Sequence, residues 1–168
     1  MLSVGGALAQ LLAYQLAGNG ILKDFENATP LTAVTFASPM VGNDGFREAY
    51  RMLEDRDLVR HIRVSNEGDV VPVSIPGFGL YTQTGINIHT RKNLPMEVAR
   101  TTSGFGRELG YAWKLRTGLF RFVGDVANHH TPKEYYVNLF GPDGNQDILI
   151  ESEVEDLYRE FNGPFVQT

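Results

Sequence analysis

Three residue types in one order point to acyl-transfer chemistry: Ser3, then Asp69, then a histidine at 129 or 130. A serine hydroxyl is a weak nucleophile until a base takes its proton, and the base works best when a carboxylate orients it. Ser3 stands in Met1-Leu2-Ser3-Val4-Gly5-Gly6-Ala7-Leu8-Ala9. A serine, one spacer, two glycines and an apolar helical pattern form the downstream half of a nucleophile elbow. Such an elbow is a tight strand-to-helix turn that exposes the hydroxyl. It also sets the next backbone N–H, here that of Val4, beside a reacting carbonyl as half of an oxyanion hole. The glycines allow helix and sheet to approach closely. Met1 stands where the pattern has its first glycine, and a serine just before a helix also reads as an N-cap.

The acid should lie at the C-terminal end of a strand, where open α/β sheets bind ligands. Asp69 fits, because the strand expected at Leu58–Val64 runs into Ser65-Asn66-Glu67-Gly68-Asp69-Val70-Val71-Pro72. A plain turn aspartate after Gly68 is the other reading. The base should be a loop histidine near a helix start. His129 and His130 precede Thr131-Pro132-Lys133-Glu134, which opens a helix with a cap, a first-position proline and a glutamate three residues after the cap. Simple solvent exposure of that pair, or adventitious metal binding, is the bland alternative. His61 falls inside a strand and reads as structural. His89 follows a strand and reads as a site wall or a satisfied polar group.

These residues need elements to position them. A buried first helix is expected from Val4 to Ala17, with Leu8, Leu11, Leu12 and Leu16 on one face, ended by Gly18-Asn19-Gly20. Leu31–Phe36 reads as an interior strand. Phe46, Ala49, Tyr50 and Leu53 give a helix capped by Asn43 or Asp44. Leu58–Val64 and Tyr81–Ile88 are further strands. The alternation predicts an α/β fold, a mostly parallel sheet with crossover helices. The stretch from Leu94 to Val126 reads as two or three short helices interrupted by glycines. A further helix is expected at Ser152–Phe161.

The chain has 168 residues, 42% hydrophobic and 21% charged, which suits one globular domain or a piece of a larger one. A net charge of −5 argues against general nucleic-acid binding. With no cysteine, disulfides, Cys-ligated zinc and a thiol nucleophile are excluded. No apolar run approaches the length of a membrane span, and no signal-peptide pattern opens these residues.

Several of these motifs together resemble the class 3 lipases, α/β-hydrolases that cleave acylglycerol esters. Ser3-Val4-Gly5-Gly6-Ala7 is similar to the second half of that family's Gly-His-Ser-Leu-Gly-Gly-Ala elbow. Phe36-Ala37-Ser38-Pro39-Met40-Val41-Gly42-Asn43 is similar to its Phe-Gly-x-Pro-Arg-Val-Gly-Asn, with Met40 in place of the arginine. Asp69-Val70-Val71-Pro72 matches Asp-x-Val-Pro, and His130 with Tyr135 resembles the histidine that precedes a tyrosine-bearing helix. Ile88-His89-Thr90 resembles a further family histidine that is not the base.

The resemblance spans Ser3 to about Phe140. It implies an α/β-hydrolase-like sheet with flanking helices. One partial domain over residues 1–168 would begin at the elbow, without the family's early strands, lid and second oxyanion loop. It implies Ser3 as nucleophile, Asp69 as acid and His130 as base, with His129 as runner-up. The partner implied is a lipid ester substrate, with a lipid–water interface as a second candidate, and neither metal nor organic cofactor is called for. The alternative function is a lipase-fold remnant, catalytically impaired, that binds lipid or protein.

Other motifs carry less. Asp143-Gly144-Asn145-Gln146-Asp147 begins like a calcium loop, but Ile148 and Val154 occupy positions that need Gly and Glu. Gly77-x-Gly79 lacks the third glycine of a dinucleotide fingerprint. Trp113, Phe120 and Phe122, interleaved with Lys114, Arg116 and Arg121, could touch a lipid surface but more simply pack on the sheet. Glu151, Glu153, Glu155 and Asp156 read as a solvated helix face.

Overall fold

The computed structural model describes residues 2–21, 30–73, 81–91, 96–100 and 129–140. Within them the order is α1 (Val4–Gly18), β1 (Leu31–Phe36), α2 (Asp44–Asp55), β2 (Val59–Asn66), a 3₁₀ turn (Val71–Val73), β3 (Ile86–Thr90), β4 (Glu97–Arg100) and α3 (Pro132–Phe140). The sheet runs β1-β2-β3-β4. β1 and β2 are parallel, with Leu31 opposite Val59 and Phe36 opposite Val64. β2 and β3 are parallel, with Ile62 opposite Ile86. Leu2 adds one parallel bridge to Phe36, so the backbone entering Ser3 runs beside β1.

Strand alternation gives the sheet two unlike faces. Ile62, Val64, Ile86 and Ile88 form an apolar cluster with Ala37 and Tyr135 of α3. On the other face Val59 and Ala33 pack with Ala13, Ala17 and Tyr50 of α1 and α2. That face turns polar along β2, where His61, Arg63 and Ser65 are buried.

The capping readings hold. Asn43 Oδ1 accepts the Phe46 N–H at 3.0 Å, and Thr131 Oγ1 accepts the Glu134 N–H at 3.2 Å. Four expectations change. The buried face of α1 is Gly6, Ala7, Gln10, Ala13 and Ala17, whereas Leu8 and Leu12 are 60% and 58% exposed. Small side chains bring the helix axis close to the sheet, and the leucines turn outward. The third strand starts later and ends later than Tyr81–Ile88, because Gly85 at φ 72° turns the chain just before it. His89 therefore lies within β3 rather than after it. Residues 97–100, expected to be helical, form β4 antiparallel to β3, with Val98 opposite Ile88. Met96 and Val98 meet the apolar cluster at the two-residue spacing of a strand, and the β3 edge supplies the hydrogen-bond partners that favour it. The readings placed on residues 77–79, 101–126 and 143–161 lie outside the described residues.

Candidate active site

Ser3 sits between the Leu2 bridge and the first residue of α1 at φ 57° and ψ −131°. A side chain rarely adopts this conformation, which costs of order 1–3 kcal/mol. Two local constraints hold it. The Ser3 N–H donates to Phe36 O at 2.9 Å, and Ser3 O accepts the Gly6 N–H at 2.8 Å. The Ser3 side chain caps nothing, so the N-cap reading fails and the strained elbow reading fits the backbone.

Asp69 follows β2 through a turn in which Gly68 has φ 88°. A Cβ at Gly68 would press on the His129 ring, 2.9 Å from its nearest carbon, so glycine lets the acid loop and the histidine loop meet. The Asp69 side chain is fully shielded from solvent. A buried carboxylate stays ionised only when donors surround it. Val71 N–H donates to Oδ1 at 2.9 Å, and Tyr135 O–H donates to Oδ2 at 2.8 Å. His130 Nδ1 lies 2.9 Å from Oδ2 and 3.1 Å from Oδ1. The His130 side chain is 22% exposed. With Nδ1 directed at the acid, Nε2 is the nitrogen available to take a proton from elsewhere.

The runner-up is placed differently. His129 Nδ1 is 4.0 Å from Glu134 Oε1, and its ring lies against Gly68. His61 is fully buried between Thr35 and Thr84, and burial, followed by the charge of Arg63, lowers its pKa to about 3. It is neutral and structural, as its strand position suggested. His89 Nδ1 pairs with Ser65 Oγ at 3.0 Å.

The structure therefore joins Asp69 to His130 directly. It sets Ser3 at the same C-terminal end of the sheet, beside Phe36, whose ring meets the Tyr135 ring edge-on at 6.1 Å. Among the described residues no hydrogen bond links Ser3 to His130. Apo hydroxyl–imidazole contacts are commonly loose and tighten when substrate binds.

Two residues escaped sequence reasoning. Gln83, 1% exposed, donates from Nε2 to Ser38 O at 3.2 Å and to Pro72 O at 2.8 Å. It ties the loop after β1 to the loop after Asp69. Asn66, at the end of β2, donates its N–H to Tyr135 Oη at 3.2 Å and accepts from the Thr90 hydroxyl. A side-chain amide at the C-terminal end of a strand, just before the acid loop, was a usable signal for Asn66. Nothing local marks Gln83, whose partners are backbone carbonyls far along the chain. Among the described residues no cluster of metal-ligating side chains occurs.

Known proteins resemble this chain in sequence and in fold. The family model described as lipase (class 3) matches residues 2–78. Phospholipase A1-IIgamma of Arabidopsis thaliana is 36% identical over 114 residues, covering 65% of this chain and 26% of that protein. Phospholipase A1-II 5 of Oryza sativa subsp. indica is 32% identical over 102 residues, covering 60% and 21%. The matches thus span about a fifth to a quarter of these relatives' length. The lipase from Rhizopus microsporus var. chinensis shares the fold, with a TM-score of 0.50 and 18% identity over 80% of this chain and 40% of that one. A triacylglycerol lipase whose catalytic centre is formed by a serine protease triad superposes with a TM-score of 0.51 and 22% identity, over 76% and 43%. The elbow, the acid loop and the α/β sheet thus stand in one chain whose residues 2–78 resemble the class 3 lipases.

Proposed function

We propose that this chain carries the triad of a serine ester hydrolase acting on acylglycerols or related lipid esters, glycerophospholipids included. One observation carries the reading: a solvent-shielded Asp69 grips His130 Nδ1 at the sheet end where Ser3 occupies a strained elbow. Ser3 Oγ attacks the ester carbonyl carbon while His130 Nε2 takes the hydroxyl proton. Val4 N–H donates to the oxyanion that forms. Collapse of the tetrahedral intermediate expels the alcohol, which leaves with the proton from Nε2, and Ser3 is acylated. Water, deprotonated by the same nitrogen, then releases the fatty acid and regenerates Ser3. Asp69 keeps the proton of the neutral ring on Nδ1 and stabilises the cation that forms at each proton transfer. The phospholipase A1 relatives support a lipid ester substrate.

Labelling with a fluorophosphonate tests the reading. Folded wild-type chain should be modified at Ser3, and Ser3→Ala should take no label and hydrolyse neither a short-chain ester nor a diacyl phospholipid. Asp69→Asn, similar in size but unable to hold the correct tautomer, should lower turnover about 10⁴-fold. Folded wild-type protein that stays unlabelled, or a Ser3→Ala variant as active as wild type, would end it.

A further inference from the structure

Tyr135 carries a hydroxyl where the core needs only a ring. The ring packs edge-on against Phe36 and among Ala37, Ile62, Val64, Ile86 and Ile88. Phenylalanine would fill that space, and burying a hydroxyl is unfavourable unless it is satisfied. This one is satisfied in a directed way. Its oxygen accepts the Asn66 N–H at 3.2 Å, which leaves its proton to point at Asp69 Oδ2, 2.8 Å away. Asn66 is itself held by the Thr90 hydroxyl, which donates to its Oδ1. Burial and the Asp69 charge together hold the phenol far above its ordinary range, so it remains a donor.

We propose that Tyr135 is a positioning residue whose hydroxyl fixes the plane of the Asp69 carboxylate and so the direction in which His130 presents Nε2. A carboxylate pinned at one oxygen can still swing about its Cβ–Cγ bond. The acid loop pins Oδ1 through the Val71 N–H, and α3 pins Oδ2 through Tyr135. His130 stands just before α3 and Tyr135 lies in its first turns, so both partners of Oδ2 come from one rigid element. The Tyr135 proton also draws charge from the oxygen that faces His130, which tempers the histidine–aspartate bond. The catalytic consequence rests on the ester-hydrolase reading, whereas the geometry can be measured without turnover.

The measurement is a long-range ¹H–¹⁵N correlation spectrum of the histidine rings in the full chain, detected through the non-exchanging ring protons. Tyr135→Phe should displace the His130 Nδ1 signal and leave the His61 signals in place. Replacing Tyr135 with 3-fluorotyrosine, a stronger donor, should displace His130 Nδ1 in the opposite direction. It also carries the test if the phenylalanine variant fails to fold. Tyr136→Phe, altering an exposed neighbour, should move nothing. If Ser3 takes the fluorophosphonate label, Tyr135→Phe should lower kcat about ten- to a hundredfold with KM unchanged, the range expected for one hydrogen bond to a charged group. An unmoved His130 Nδ1 signal in the altered proteins, or an equal displacement of every histidine, overturns the positioning role. Unlabelled Ser3 in wild type overturns the hydrolase reading alone, and the ring spectra still decide Tyr135.

Discussion

At Ser3 the backbone is held at φ 57° and ψ −131°, a conformation that glycine adopts freely and serine does not. With Ser3 as the proposed nucleophile, the position is one where function and stability oppose each other. Ser3→Gly and Ser3→Ala both remove the hydroxyl, but only glycine relieves the backbone. Ser3→Gly should be the more stable of the two by about 1 kcal/mol in denaturant unfolding, and equal midpoints would show that the turn is relaxed. Gly85 is the converse case. At φ 72° an added Cβ would run into the His61 backbone carbonyl. Gly85→Ala should cost roughly 2 kcal/mol or more, read as a fall in the unfolding midpoint. The turn at Ser3 and the turn before Asp69 were legible because their motifs are contiguous. The choice of His130 over His129 was not settled by the residues themselves, since adjacent side chains diverge and only the path of the loop decides which one meets Asp69.

The elements are joined by a buried polar relay. Gln10 Nε2 of α1 donates to Thr84 Oγ1 at 2.6 Å, and Thr84 then has one proton left for His61 Nδ1 at 2.8 Å. His61 therefore carries its own proton on Nε2 and donates it to Thr35 Oγ1 of β1 at 3.0 Å. Unfolding returns this imidazole from about 3 to the ordinary value of 6.5. Between those limits the unfolded chain binds a proton that the folded chain refuses. The stabilisation is complete above pH 6.5 and declines as pH falls toward 3, at a rate approaching about 1.4 kcal/mol per pH unit. Denaturant midpoints at a series of pH values should show this decline, and His61→Gln, which cannot titrate, should flatten it. The two faces of α1 offer a second check. Leu8→Gln and Leu12→Gln alter exposed positions and should change stability by less than about 0.5 kcal/mol each. Ala13→Leu crowds a buried one and should cost about 1–3 kcal/mol. A reversed order would restore the leucine face as the packed one. The periodicity of α1 was readable, but its inward side was not, because alanine and leucine are both apolar and the sheet selects the smaller.

For the molecule as a whole, the site is a product of chain folding rather than of any one segment. Asp69 and His130 are 61 residues apart in sequence, and Ser3 lies in a third segment. Reactivity at Ser3 should therefore disappear together with the fold. In a denaturant series, fluorophosphonate labelling and far-UV circular dichroism should fall with one midpoint, and labelling that outlasts the helical signal would mean that the serine is reactive without its partners. The negative net charge bears on solubility and encounter rather than on the site, where the Asp69 carboxylate is shielded from solvent and hydrogen-bonded to His130.

Sequence alone determined the residue types, their order and the helices and parallel strands that carry them. Each of these is written in local patterns of capping, periodicity and glycine placement. Tertiary structure decided the rest: which histidine meets the carboxylate, that residues 97–100 join the sheet, which side of α1 is buried, and that Tyr135, Asn66 and Gln83 brace the acid loop. The reason is physical. Those outcomes depend on contacts between segments far apart in the chain, where the energy of closing a gap between packed surfaces outweighs any preference a short stretch of residues has by itself.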